Sequence, residues 1–156
     1  MKQIVLFLLT ALAFVATGCS SSDGQEPGTP PSPPVSTPIE PATDARPDWT
    51  APNAGDYEQT MNVYLIMQDE LQPYLSENDI LCAKIDGQVR GVAVPRLDEG
   101  SWLISMILFS NGAAPVQLSY YCDKLHRIFT TSWTTFDANT APMGTDGIYK
   151  PQFIKK

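Results

Sequence analysis

Along much of the chain apolar and polar residues alternate with the period of two that a β-strand requires, and after residue 52 they never recur at helical spacing over any length. Met61, Val63, Leu65 and Met67 alternate with Asn62, Tyr64, Ile66 and Gln68, which predicts a strand with one dominant apolar face. Ile80 to Ile85 and Gln88 to Val94 flank Asp86-Gly87, a pair that suits the positive backbone angles of a two-residue type I′ hairpin turn. Regular register from that turn pairs Ile85 with Gln88, Ala83 with Arg90, Cys82 with Gly91 and Leu81 with Val92. Trp102 to Phe109 is an apolar run broken only by Ser105 and bounded by Glu99-Gly100 and Asn111-Gly112, as expected for a strand in the centre of a sandwich. Val116 to Cys122 and Arg127 to Trp133 follow across Asp123-Lys124, and Gln152 to Lys155 predicts the last strand. Short strands, turn residues between them and no amphipathic helix predict an all-β fold, an antiparallel Ig-like β-sandwich of about seven strands. There is no internal repeat.

The N-terminus reads differently. Met1-Lys2 is a short basic start, Ile4 to Ala16 is apolar apart from Thr10, and Thr17-Gly18-Cys19 follows. The run is too short for a permanent membrane span, which needs about 20 apolar residues, and it has the form of a cleaved signal peptide. Small residues directly before a cysteine resemble the lipobox of bacterial lipoproteins, with Ala16 where Leu is usual, a variation common in Bacteroides-type bacteria. The resemblance implies cleavage before Cys19, acylation of its thiol and new amino terminus, and anchoring in lipid. Several acyl chains, each contributing about 0.8 kcal/mol per buried methylene, make such an anchor stable. By resemblance to other lipoproteins, Ser20 rather than Asp after the cysteine implies transfer to the outer membrane, and Ser20-Ser21-Ser22-Asp23 with Glu26 resembles a weak acidic export signal for the cell surface.

Between Pro27 and Pro52, nine of the fourteen prolines fall within 26 residues, mixed with Ser, Thr, Gly and scattered acids. Such a segment lacks apolar mass to offset ordering entropy and favours an extended stalk at about 3.1 Å per residue. The expected organisation is therefore a signal peptide at 1–18, a lipidated terminus and disordered linker at 19–52, and a β-sandwich domain at 53–156.

Composition then excludes several functions. A formal charge of -7 over 156 residues argues against nucleic acid as a partner, because binding phosphate backbones needs a basic stripe. One His and three Cys cannot supply a Cys/His zinc site or a Ser-His-Asp array without using that single histidine. No P-loop, dinucleotide fingerprint or Gly-x-Ser-x-Gly elbow is present, and neither a cofactor nor a metal is implied. After Pro52 there are 8 Lys plus Arg against 12 Asp plus Glu, so the domain itself is mildly acidic.

Asp79-Ile80-Leu81-Cys82-Ala83, Asp86-Gly87, Arg90-Gly91-Val92-Ala93, Tyr120-Tyr121, Gly144-Thr145 and Pro151-Gln152-Phe153-Ile154, opened by Trp49, Pro52, Tyr57 and Met61, resemble a β-sandwich domain of Bacteroides-type surface and secreted proteins. The likeness covers about 100 residues, nearly all of the folded part. It implies the fold and a place among surface proteins, and it carries no catalytic residues. Two positions depart from the pattern: Cys82 stands where that family has Gly, and Val89 where it has Cys.

Candidate chemistry is sparse. Cys82 and Cys122 could be bridged, closing a loop of about 40 residues, or be buried free thiols that behave as small apolar residues. His126 reads as a polar loop residue, and Asp69, Glu70, Glu77 and Asp79 as a solvated connection whose spacing matches no calcium loop. Trp102, Trp133 and Tyr149, with Tyr120 and Tyr121, offer faces on which a sugar could stack, although large aromatics in a small sandwich mostly fill the core. Arg90 is expected to make a structural pair with a buried carboxylate such as Asp79. The expected function is a non-catalytic binding module at the outer membrane, facing outward, with a glycan or other surface ligand favoured. The alternative is an accessory subunit of an envelope protein assembly, for secretion or adhesion. A glycoside hydrolase built on paired carboxylates is the third and weakest reading.

Overall fold

The computed structural model describes residues 37–139 and 146–156; the expected signal peptide, Cys19 and the first part of the Pro-rich segment lie outside them. Ten strands occur among the described residues: β1 (Gln59–Leu65), β2 (Ile80–Ile85), β3 (Gln88–Ala93), β4 (Arg96–Asp98), β5 (Ser101–Ser110), β6 (Ala114–Cys122), β7 (Arg127–Thr131), β8 (Thr134–Phe136), β9 (Ile148–Tyr149) and β10 (Phe153–Lys155). They form two sheets packed as a sandwich, one ordered β4-β5-β1-β9 and the other β10-β7-β6-β2-β3, with β8 also paired to β6. The all-β sandwich is as expected, with ten strands in place of seven and with β9 parallel to β1. The extra strands β4, β8 and β9 are three, three and two residues long, too short to show alternation in sequence.

Both sheets turn one face to a common core. β1 contributes Met61, Val63 and Leu65, β5 contributes Ile104, Met106 and Leu108, and β2 and β6 answer with Leu81, Ala83, Leu118 and Tyr120. Each large side chain buried there stabilises the fold by roughly 1.5–3 kcal/mol. β5 departs from its apolar run in one respect: only its even-numbered residues from Ile104 to Ser110 are buried, and the odd-numbered side faces outward.

The hairpin at Asp86-Gly87 forms as expected, with φ of 51° and 76° in the left-handed region. Ile85 pairs with Gln88, but the register beyond is corrected by a bulge between Ala83 and Lys84, which makes Ala83 pair with Gly91, Cys82 with Val92 and Leu81 with Ala93. Arg90 is the extra residue of that bulge. The shift turns Gly91 onto β5, where an added Cβ would lie 2.5 Å from the carbonyl oxygen of Ile107 and 3.0 Å from Cγ of Met106. The residue at 91 must therefore lack a side chain for β3 to lie against β5. A second two-residue turn, Glu99-Gly100 with φ of 45° and 83°, joins β4 to β5. A third irregularity separates β7 from β8: Ser119 pairs with Thr130 and Val116 with Thr134, so the latter strand carries one additional residue around Trp133.

The linker boundary is also corrected. Among the described residues, the part of the Pro-rich segment from residue 37 onward is held on the domain. Ala42 and Asp44 donate backbone N–H groups to the carbonyls of Leu125 and His126 at 2.7 and 2.8 Å, and the Asp44 carboxylate accepts the Ile128 N–H at 2.8 Å. Ile39 packs against the core and donates its N–H to the Tyr74 hydroxyl, and Arg46 donates to the carbonyl of Asn78. Lys84 lies over the ring of Trp49 at 5.2 Å. Proline content alone signals a free extended chain, whereas scattered polar and apolar anchors fix this stretch in place.

Candidate functional site

The outer face of the four-stranded sheet is the most distinctive surface. Strand alternation sends Tyr64 and Ile66 outward from the β1 chain, Leu103 and Ile107 from β5, and Ile148 from β9. Their exposures are 46%, 37%, 46%, 51% and 40%, high for five large apolar residues on one sheet face. Register places them side by side: Tyr64 lies opposite Ser105 on one flank and Ile148 on the other, and Ile107 lies opposite Asn62. Thr60, Asn62 and Ser105 are the polar residues among them, and apart from the Tyr64 hydroxyl no titratable group stands on these rows. A solvated sandwich face normally carries polar residues at these positions.

Charged groups border the face. At one end Arg90 donates from Nη1 to the Tyr57 hydroxyl at 2.6 Å, and its guanidinium carbon lies 4.8 Å from the Tyr57 ring centroid. Tyr57 in turn meets Phe109 at 5.9 Å. The expected partner of Arg90, Asp79, is elsewhere, so that pairing is corrected: the bulge at Arg90 directs its side chain to Tyr57. At the other end Arg96 and Asp98 of β4 flank Leu103 and Ser101. Shallow cavities run along the face, one of about 350 Å³ lined by Tyr64, Ile66, Trp102, Leu103, Asp98 and Ile148 among others.

The three aromatic residues expected to contact a ligand do not form one platform. Trp102 and Tyr149 pack against the core, while Trp133 is 54% exposed in the bulge between β7 and β8 on the other sheet. Burial raises the Tyr149 hydroxyl pKa, with a hydrogen bond to Thr134 partly opposing it. Cys82 and Cys122 are free and buried. Cys82 pairs with Ser119 of β6, three residues from Cys122, so alternation puts the two thiols on opposite faces of the sheet. Burial pushes the Cys82 thiol from 9.0 up to about 12 and raises Cys122 as well.

Asp79 is wholly buried, unlike the exposed Asp69, Glu70 and Glu77 with which it was grouped. Its carboxylate accepts from the Ser76 N–H at 2.9 Å, the Ser76 hydroxyl at 2.8 Å, the Tyr120 hydroxyl at 2.6 Å and the Asp123 N–H at 2.8 Å. The turn before β2 is thereby tied to β6 and to the β6–β7 turn. Burial and the Asp79 carboxylate both keep the Tyr120 hydroxyl protonated far above its ordinary range. The four acceptor contacts compensate the buried charge, which makes this a structural knot. His126 is exposed at φ 45° in the next turn, its Nδ1 3.2 Å from the Tyr121 hydroxyl.

Sequence reasoning missed the outer face. Ile104 to Phe109 is apolar at both parities except for Ser105 and reads as a central strand; Ser105 itself and the exposed Tyr64 and Ile66 on the polar side of the β1 pattern were the available signal. Family models, curated proteins and solved structures give no match to this chain.

Proposed function

We propose that this chain is a lipid-anchored, non-catalytic binding module of the bacterial outer membrane, facing outward, whose four-stranded sheet docks a protein partner of the envelope. The observation that carries the docking part is the row of Tyr64, Ile66, Leu103, Ile107 and Ile148, exposed together on a face whose charged residues, Arg96 and Asp98, stand on the edge strand β4. Charge depletion at the centre with a charged rim is the composition of a protein interface core. Apolar side chains of this kind fit a flat apolar surface of another protein better than the hydroxyl-rich surface of a glycan. The reading of the anchor rests on Thr17-Gly18-Cys19 and its resemblance to a lipobox, and the Pro-rich residues that precede Ser36 suit a tether.

A second reading keeps one specific support. Tyr64 and Trp102 line the same shallow cavity as Asp98 and Ser101, an aromatic and polar mixture that suits a sugar. The two readings separate in one experiment. The full chain carrying both Leu103→Asp and Ile107→Asp, exposed positions whose change leaves the core intact, is isolated from the native envelope beside the parent and a Trp102→Ala variant. Docking predicts that a stoichiometric envelope protein accompanies the parent and Trp102→Ala chains and is lost from the double variant. Retention of that protein by the double variant, or its absence from all three while the parent binds a glycan array through Trp102, would overturn docking.

A further inference from the structure

The free edge of the four-stranded sheet carries a pattern that is complementary to itself. β4 is the outermost strand, and Arg96, Leu97 and Asp98 are all exposed. Its hydrogen-bonding direction follows from the turn beside it. Glu99-Gly100 is a two-residue turn, so Asp98 and Ser101 form the closing hydrogen-bonded pair. Alternation then makes Leu97 and Trp102 a non-hydrogen-bonded pair, and Leu97 directs its own N–H and C=O outward from the sheet. The Arg96 and Asp98 side chains make no hydrogen bond or ion pair among the described residues, and the Leu97 side chain is 55% exposed.

We infer that β4 pairs with β4 of a second copy of this chain, antiparallel about a two-fold axis through Leu97. In that register the two Leu97 residues exchange both backbone hydrogen bonds. Arg96 stands opposite Asp98 of the second copy and Asp98 opposite its Arg96, so both ion pairs form at once. The leucine side chains meet on the opposite face, beside Trp102. The contact is isologous and closes on itself, as two-fold assemblies do. It cannot lengthen: Pro95 has no N–H to offer on one side, and the Glu99-Gly100 turn ends the strand on the other. The pairing joins two four-stranded sheets edge to edge and sets their apolar outer faces side by side.

An edge of three residues is far smaller than the roughly 1,000 Å² of a stable complex, so the pair forms where chains are concentrated. A shared lipid surface would supply that concentration; to this extent the inference rests on the anchoring reading. The test is oxidative cross-linking of the full chain carrying Leu97→Cys. Paired Cα atoms about 5.5 Å apart suit a disulfide. The parent, with its native cysteines, sets the background, and Thr135→Cys, exposed on β8, controls for random collision. Membrane and soluble fractions of each sample are assayed separately, so failed anchoring is seen as the chain's location and failed pairing as the absence of dimer in whichever fraction holds it.

The expected result is a disulfide dimer specific to Leu97→Cys. Adding Asp98→Arg sets like charges opposite each other twice and lowers the yield about tenfold, equivalent to about 1.4 kcal/mol. Adding Arg96→Asp to that variant restores opposite charges and the dimer. Cross-linking of Leu97→Cys no stronger than Thr135→Cys, or a yield indifferent to the charge reversals, would overturn the inference.

Discussion

Replacing Asp79 tests how the module is held together. Its carboxylate accepts four hydrogen bonds in a fully buried site, two from backbone N–H groups and two from hydroxyls. In Asp79→Ala the Ser76 hydroxyl, on a half-buried residue, can turn to water, but the Asp123 and Ser76 N–H groups and the Tyr120 hydroxyl lose their acceptor. Each buried group left unsatisfied costs about 1–3 kcal/mol, and a water admitted into the vacated space recovers part of that. The expected loss is about 3–5 kcal/mol, a large share of the roughly 5–15 kcal/mol that holds a domain folded. Tyr120→Phe removes one donor and should cost about 1–2 kcal/mol. Urea titration followed by tryptophan fluorescence gives each value. The double variant should lose less than the sum of the two, with a coupling near 1–2 kcal/mol because the residues share a bond of 2.6 Å. A loss below about 1 kcal/mol for Asp79→Ala, or strict additivity with Tyr120→Phe, would refute the knot.

The docked N-terminal strap predicts that a chain beginning at residue 53 is less stable than one beginning at residue 36 by about 2–5 kcal/mol, read from urea midpoints, since four backbone N–H bonds and the packing of Ile39 are lost. Gly91→Ala should cost about 1–3 kcal/mol, because its Cβ meets the rigid carbonyl of Ile107, whereas Gly112→Ala, in open space, should be close to neutral. Cys82 should resist thiol reagents at pH 8 until the chain is unfolded, because burial keeps the thiol protonated. The same shift links stability to pH: the unfolded thiol ionises near 9.0 while the folded one waits until about 12, so this contribution is complete below pH 9 and is lost as pH rises to 12. Cys82→Ala should flatten the alkaline decline of stability by up to about 1.4 kcal/mol per pH unit, and an unchanged slope would contradict the assignment.

What the sequence revealed depended on whether a feature was local. Asp86-Gly87 announced its hairpin because positive φ at two adjacent positions is a property of those residues alone. The bulge at Arg90 was not legible, since it answers to Met106 and Ile107 on β5, far away in the chain. β5 was found as a strand, but apolar residues at both parities could not say that one side would lack a covering layer. Leu103 and Ile107 therefore passed for core. Asp79 read both as one acid of a solvated connection and as a buried carboxylate for Arg90; its actual partners Tyr120 and Asp123 lie more than forty positions on, where no local pattern points. The strap was read as linker for its prolines, when Ala42 and Asp44 hold it through single bonds that no periodicity reveals. Trp102, Trp133 and Tyr149 suggested a platform by residue type alone, but Trp102 and Tyr149 pack against the core while Trp133 is exposed on the other sheet.

The central claim, that the outer face of the four-stranded sheet docks an envelope protein, is tested most directly by a photo-reactive side chain placed at Ile107 in the full chain within its native envelope, with Thr135 as the comparison site. The account predicts a discrete protein adduct from Ile107 that disappears when Leu103→Asp is added and never forms from Thr135. Equal labelling from both sites, or no adduct from Ile107, would contradict it.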